Sequence, residues 1–108
     1  MGLRDDRIKS IVQELATKFI EAESNRLSLI TVTSITLTDK AKGATIMFTV
    51  FPETAEKAAL DFLKRQRAEF REFVKAHSRL SMIPFFDFAV DQGEKNRQKI
   101  DQISNLVK

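Results

Sequence analysis

The sequence predicts an α+β fold in which a three-stranded sheet carries helices on one face. Segments 27–38 and 44–51 are rich in β-branched residues and flank a turn signal at 39–43, which predicts a hairpin. A long amphipathic segment then leads to a third strand-like segment at 83–90. A hairpin followed by a helical crossover is typical of a mixed sheet with helices packed against it. The 108 residues fit one domain spanning 1–108.

Apolar spacing supports the first elements. Residues 4–22 have apolar side chains at three- and four-residue intervals and no glycine or proline, which predicts an amphipathic helix. The apolar phase of the first strand changes between Val32 and Ile35, which predicts a bulge near Thr33–Ser34. The second strand alternates regularly and places four apolar residues on one face: Ala44, Ile46, Phe48 and Val50.

The second half predicts a long helix, a strand and a closing helix. Thr54 is a suitable N-cap for a helix over about 55–75. Pro84 favours extended backbone before the strand at 83–90, and a helix at 94–107 closes the chain, with Ile100, Ile103, Leu106 and Val107 on its apolar side. The long helix has an apolar arc made of Ala59, Phe62, Leu63, Phe70, Phe73 and Val74. Beside this arc lies a basic ridge, which we define as Lys64, Arg67, Arg71 and Lys75.

The positive charge of the chain is concentrated around this ridge. The formal net charge is +3, which is mild for a nucleic-acid-binding protein. Residues 64–79 contain six basic and two acidic residues, whereas the rest of the chain has 12 basic and 13 acidic residues. The whole excess therefore belongs to one segment. We expect Arg67 and Arg71 to be exposed, and Phe70 and Phe73 to be buried.

The composition argues against catalysis and against a bound cofactor. There is no cysteine and only one histidine, which excludes cysteine-based zinc sites and multi-histidine centres. The three glycines do not form a phosphate-binding loop, a dinucleotide-binding motif or the GxxG clamp of ordinary KH domains. No apolar run is long enough to span a bilayer, and the first ten residues do not resemble a secretory signal. We expect a cytoplasmic protein with no enzymatic activity, no metal and no cofactor.

Two groups of residues resemble patterns of the ribosome-binding factor A family. The strand pair matches at Val32, Thr33, Ile35, Thr38, Asp39, Ala44, Phe48, Thr49, Val50 and Pro52. The second half matches at Phe70, Arg71, Val74, Leu80, Pro84, Phe86, Phe88 and Asp91. The closing segment RQKIDQISNLV is similar to the family's terminal helix. None of these motifs is catalytic, but their order and spacing cover nearly the whole chain.

The resemblance implies a type II KH-like fold in which a helix–kink–helix replaces the GxxG loop, with Ala76 at the kink. It also implies a monomeric, non-catalytic assembly factor that binds 16S ribosomal RNA and free 30S subunits during late maturation. The candidate RNA-binding residues are Lys64, Arg65, Arg67, Arg71, Lys75, Ala76, His77 and Arg79.

Other interpretations remain open from the residues themselves. The ridge could be a merely solvated helix face, or it could dock an acidic protein partner. His77 could contact phosphate or simply favour the C-terminal end of the helix dipole. Most of the nine phenylalanines are expected in the core, with Phe51 and Phe85 as the exceptions.

Overall fold

A computed structural model describes residues 3–23 and 29–107 of the chain. Within these ranges, four helices and three strands follow one another in the predicted order. The elements are α1 (Leu3–Glu23), β1 (Leu29–Leu37), β2 (Gly43–Phe51), α2 (Glu56–Arg65), α3 (Arg67–His77), β3 (Phe85–Val90) and α4 (Gln92–Val107), with short 3-10 turns at Asp39–Ala41 and Glu53–Ala55. The first two residues of the predicted first strand, 27 and 28, lie outside the described residues.

The sheet is mixed, with β2 at its centre. β1 pairs antiparallel with β2, and β3 pairs parallel with β2 after the crossover through α2 and α3. The β1–β2 register shifts between Val32 and Ser34, which confirms the predicted bulge. Because of this shift, apolar residues before and after the bulge face the same core. The predicted α+β architecture is confirmed.

The core lies between one face of the sheet and the helices. Phe70 of α3 is fully buried at its centre. Its ring centroid lies 5.3 Å from that of Phe19 in α1, and 4.8 Å and 5.8 Å from those of Phe86 and Phe88 in β3. Edge-to-face and tilted arrangements at these distances are favourable beyond simple burial of area. One aromatic cluster thus joins α1, α3 and β3.

The long helix differs from the prediction in two places. Thr54 lies in the 3-10 turn, and α2 begins at Glu56 after Ala55 with no side-chain cap, so the predicted N-cap was wrong. The helix is interrupted at Gln66, whose backbone N–H donates to the Leu63 carbonyl 3.0 Å away, three residues back rather than four. Gln66 therefore separates α2 from α3.

The kink is thus at Gln66, and the prediction of a kink at Ala76 was wrong. Ala76 lies inside the last turn of α3, which ends at His77 because Ser78 adopts an extended conformation. The physical reason is tertiary: α2 and α3 both contact β3, but α2 also contacts β2 and α3 also contacts α1. Two packing directions require a bend between the two helices.

The start of α4 is fixed to the sheet through Asp91. The Asp91 backbone N–H donates to the Phe48 carbonyl 2.8 Å away, and its carboxylate accepts from the Glu94 backbone N–H at 3.0 Å. The Thr33 hydroxyl at the bulge donates to the same carboxylate and, with that N–H, holds the pKa of Asp91 below its ordinary value. Ile100 is exposed. For Ile103, Leu106 and Val107 the structure describes the helical backbone but not the side chains, so the predicted apolar side of α4 stays a prediction.

The two aromatic residues of α3 should differ in their effect on stability. Phe70 is fully buried, whereas Phe73 is half-buried, so only the first half of the expectation for this pair was right. We expect Phe70→Ala to lower the free energy of unfolding by ~3–5 kcal/mol, because it leaves a cavity in the core. Phe73→Ala should cost clearly less. Urea denaturation of both variants measures this, and equal losses would contradict the packing described above.

Candidate nucleic-acid interface

Three of the four ridge residues contact β3, one of the two outer strands of the sheet. The Lys64 ammonium is 3.0 Å from the Asp87 carboxylate in β3, and the Arg67 guanidinium is 3.4 Å from the same oxygen. The Arg67 Nε also donates to the Lys64 carbonyl at 2.9 Å. The first two ridge residues are therefore held together across the kink by one acidic residue of the neighbouring strand.

The contacts of Asp87 make its carboxyl more acidic than that of an ordinary aspartate. Partial burial acts to raise the pKa of its carboxyl, but this effect is outweighed by hydrogen bonds from Lys64 and from the Phe88 backbone N–H and by the charges of Lys64 and Arg67. The pKa of Asp87 therefore lies below its ordinary value. At neutral pH the carboxylate offsets part of the positive charge of the ridge.

Arg71 occupies a different environment, where β3 begins. It is half-buried, so the prediction that Arg71 is exposed was wrong, whereas Arg67 is exposed as expected. The Arg71 Nη2 donates to the Ile83 carbonyl at 3.2 Å, and its Cζ lies 5.0 Å from the centroid of the Phe85 ring. A guanidinium at this distance from an aromatic face makes a favourable cation–π contact. Backbone and ring together fix the position of this charge.

The remaining predicted residues are placed separately. Arg65 and Lys75 are exposed, and no ion pair joins either of them to another residue within the described ranges. Ala76 is exposed next to Lys75 in the last turn of α3. The His77 ring stacks on Phe73, with centroids 4.2 Å apart, and its Nδ1–H donates to the Phe73 carbonyl at 2.8 Å. These contacts hold His77 against its own helix.

Arg79 is separated from the ridge and belongs to a second basic surface. It follows the extended Ser78 and lines a shallow groove together with Arg4 and Arg7 of α1. The sequence analysis missed Arg4 and Arg7, because the N-terminal segment is nearly neutral overall. A signal existed in the helical periodicity, which places Arg4 and Arg7 one turn apart and beside the apolar Ile8 and Ile11.

The arrangement suits the binding of a polyanion better than chemistry on a small molecule. Three ridge cations contact residues in β3 or just before it: Lys64 and Arg67 contact Asp87, and Arg71 contacts Ile83 and Phe85. Among residues 3–23 and 29–107, no group of three or more histidine, cysteine, aspartate or glutamate side chains is arranged to hold a metal ion. None of the helices in this part of the chain is long and apolar enough to cross a membrane.

The known proteins to which this chain is similar share one description. The family model described as ribosome-binding factor A matches residues 4–104. A ribosome-binding factor A of Thermobifida fusca is 33% identical over 91% of this chain, and the chain spans 64% of the length of that relative. A ribosome-binding factor A of Thermodesulfovibrio yellowstonii is 26% identical over 97% of this chain and 91% of its own length.

Solved structures show the same fold. The crystal structure of ribosome-binding factor A from Thermus thermophilus superposes with a TM-score of 0.69 at 19% identity, covering 79% of this chain and 93% of that one. A model of the Thermus thermophilus protein fitted into the cryo-EM map of a 30S complex gives a TM-score of 0.66 at 21% identity, over 86% and 97% of the two chains. The fold is therefore KH-like, with the α2–α3 helix pair meeting at Gln66. Because the family model matches nearly the whole of this chain, the chain belongs to the ribosome-binding factor A family.

Proposed function

We propose that this protein is a non-catalytic assembly factor that binds the 16S ribosomal RNA of free 30S subunits during late maturation. Membership of the ribosome-binding factor A family carries the proposal. Further support comes from the Thermus thermophilus relative, a homology model of which has been fitted into the cryo-EM map of its complex with 30S. In this proposal, residues 1–108 act as one RNA-binding unit, and the protein works as a monomer in the cytoplasm.

The proposed mechanism is electrostatic. Ammonium and guanidinium groups of the ridge would contact successive phosphates and release the counterions condensed on the RNA. Arginines can bind phosphate oxygens in a bidentate way, which lysines cannot do. Lys75 and Arg65 are the most available charges, because no ion pair occupies them in the described structure. Lys64 and Arg67 would exchange part of their contact with Asp87 for a phosphate.

Matched charge reversals can show whether RNA binding depends on the ridge itself or only on the net charge of the protein. We expect the pair Arg67→Glu and Lys75→Glu to weaken binding to 16S ribosomal RNA strongly. Each lost phosphate contact should lower the slope of log affinity against log salt concentration by about 0.7–0.9. Arg71 is left unchanged in this test, because its contacts to Ile83 and Phe85 give it a structural role. Filter binding over a salt series measures both the affinity and the slope.

The control is the pair Lys18→Glu and Lys57→Glu, two exposed residues outside the segment 64–79. It changes the net charge by the same amount. If the control lowers RNA affinity as much as the ridge pair, only net charge matters and the proposed surface is wrong. If the wild type binds an acidic protein and no RNA, the alternative of a protein-docking ridge replaces the proposal.

Neutralising Asp87 should strengthen RNA binding. In Asp87→Asn, Lys64 and Arg67 lose their ionic partner and become available to phosphates, so we expect a gain of about two- to fivefold in affinity. Thr45→Asn serves as the control, because Thr45 pairs with Asp87 on the neighbouring strand but carries no charge. An unchanged or weaker affinity in Asp87→Asn would contradict a role for these two cations in binding.

The free energy of unfolding should depend on pH through the Asp87 carboxylate. Because the pKa of Asp87 is lowered in the folded protein, its contribution to stability is present above the unfolded pKa of about 4 and is lost as the pH falls through the folded pKa. The contribution should be at most about 1 kcal/mol, because the pair is half-exposed. We expect Asp87→Asn to lose less stability than the wild type between neutral pH and acidic pH in urea denaturation. Parallel pH profiles would show that the ion pairs contribute nothing.

A further inference from the structure

Phe85 is a large apolar side chain that the fold leaves in water. It is 73% exposed, whereas Phe86 and Phe88 on the same strand are buried in the core. Strand alternation points Phe85 away from the core into which Phe86 and Phe88 project. Its partner in the register is Gly43, which has no side chain to cover the ring. A single exposed apolar residue is common, so its meaning depends on its neighbours.

The neighbours of Phe85 are cationic. Arg71 lies over the ring with its guanidinium carbon 5.0 Å from the ring centroid, and its bond to the Ile83 carbonyl keeps it there. The Phe85 backbone N–H donates to the backbone carbonyl of the exposed Lys42 at 3.0 Å, which joins the start of β3 to the residue before β2. Asp87 is the acidic residue that follows on the same face of the strand, and Lys64 and Arg67 are paired with it.

An exposed ring next to a fixed cation has the chemistry of a nucleotide site. The ring offers a flat apolar surface to a base, and the Arg71 guanidinium can hold a phosphate next to that base. A base within a double helix is already stacked on both faces and cannot reach the ring. The site therefore suits an unpaired nucleotide. It does not distinguish strongly between bases, because every base has an aromatic face.

We propose that Phe85 stacks on an unpaired base of the bound RNA, with Arg71 contacting an adjacent phosphate. This inference rests on the proposed function and extends it. The ridge accounts for attraction to any RNA backbone, whereas Phe85 gives the protein a preference for a single-stranded segment next to it. The interface then consists of a phosphate-contacting helix and a base-stacking strand.

The test compares two RNA probes and four proteins. The probes are an unstructured oligouridine of about twelve nucleotides and a perfect RNA duplex of the same length. The proteins are the wild type, Phe85→Ala, Phe85→Trp and Phe51→Ala. Phe51 is a matched control, because it is 68% exposed and lies at the opposite end of β2 from the Gly43–Phe85 pair. Fluorescence anisotropy over a salt series gives the affinity and the salt slope, and circular dichroism checks folding.

We expect Phe85→Ala to bind oligouridine about five- to one-hundred-fold more weakly than the wild type, and the duplex within about twofold of it. The salt slope should not change, because no charge is removed. Phe85→Trp should keep or raise the affinity, and Phe51→Ala should have no effect. The tryptophan variant also shows that loss of binding in the alanine variant is not loss of folding.

Several outcomes would overturn the proposal. Equal oligouridine affinity of the wild type and Phe85→Ala excludes stacking, as does a wild type that binds only the duplex, and in both cases the proposed function survives. An equal loss on both probes, or a salt slope that falls by about 0.7, shows that Phe85 only positions Arg71. A wild type that binds neither these probes nor 16S ribosomal RNA refutes the proposed function and the stacking site together.

Discussion

The packing of Phe70 determines the position of α3 and of the ridge residues that α3 carries. Its ring is buried against Phe19 of α1 and against Phe86 and Phe88 of β3, so α3 can present only one face to the core. This packing fixes which face of α3 is turned toward β3, and Arg71, the residue after Phe70, therefore lies beside that strand. The cations of the ridge are arranged in space by an apolar contact, which salt does not weaken.

Much of the fold could be predicted from local patterns. In β2, apolar and polar residues alternate because one face of the sheet is buried. In β1 the apolar positions shift by one residue, and the bulge between Val32 and Ser34 keeps the apolar side chains on the buried face. The break at Gln66 could not be predicted in this way, because glutamine is an ordinary helix residue. The break results from the different neighbours of α2 and α3, which are distant in sequence.

In the candidate site, too, local sequence patterns predict some features, whereas others depend on contacts between distant residues. The sequence showed that residues 64–79 hold the positive excess, and the structure places Lys64, Arg67 and Arg71 along one strand. Helical periodicity could not show that Asp87 pairs with two of these cations, since the contact spans 20 residues or more. The exposure of Phe85 follows from strand alternation, yet its contact with Arg71 depends on how α3 docks. Long-range contacts distinguish the paired cations from the available ones.

The ion pairs of Asp87 also affect how copies of this protein meet one another. β3 is an outer strand, and an outer strand with unpaired backbone groups is a template on which a second chain can add a strand. Asp87 lies in the middle of β3 and is paired with Lys64 and Arg67 of the adjacent helices. A second strand added to β3 would have to bury these charges or displace them, so the ion pairs oppose such pairing. Lys64, Arg67 and Asp87 thus also oppose strand addition at the β3 edge of the sheet.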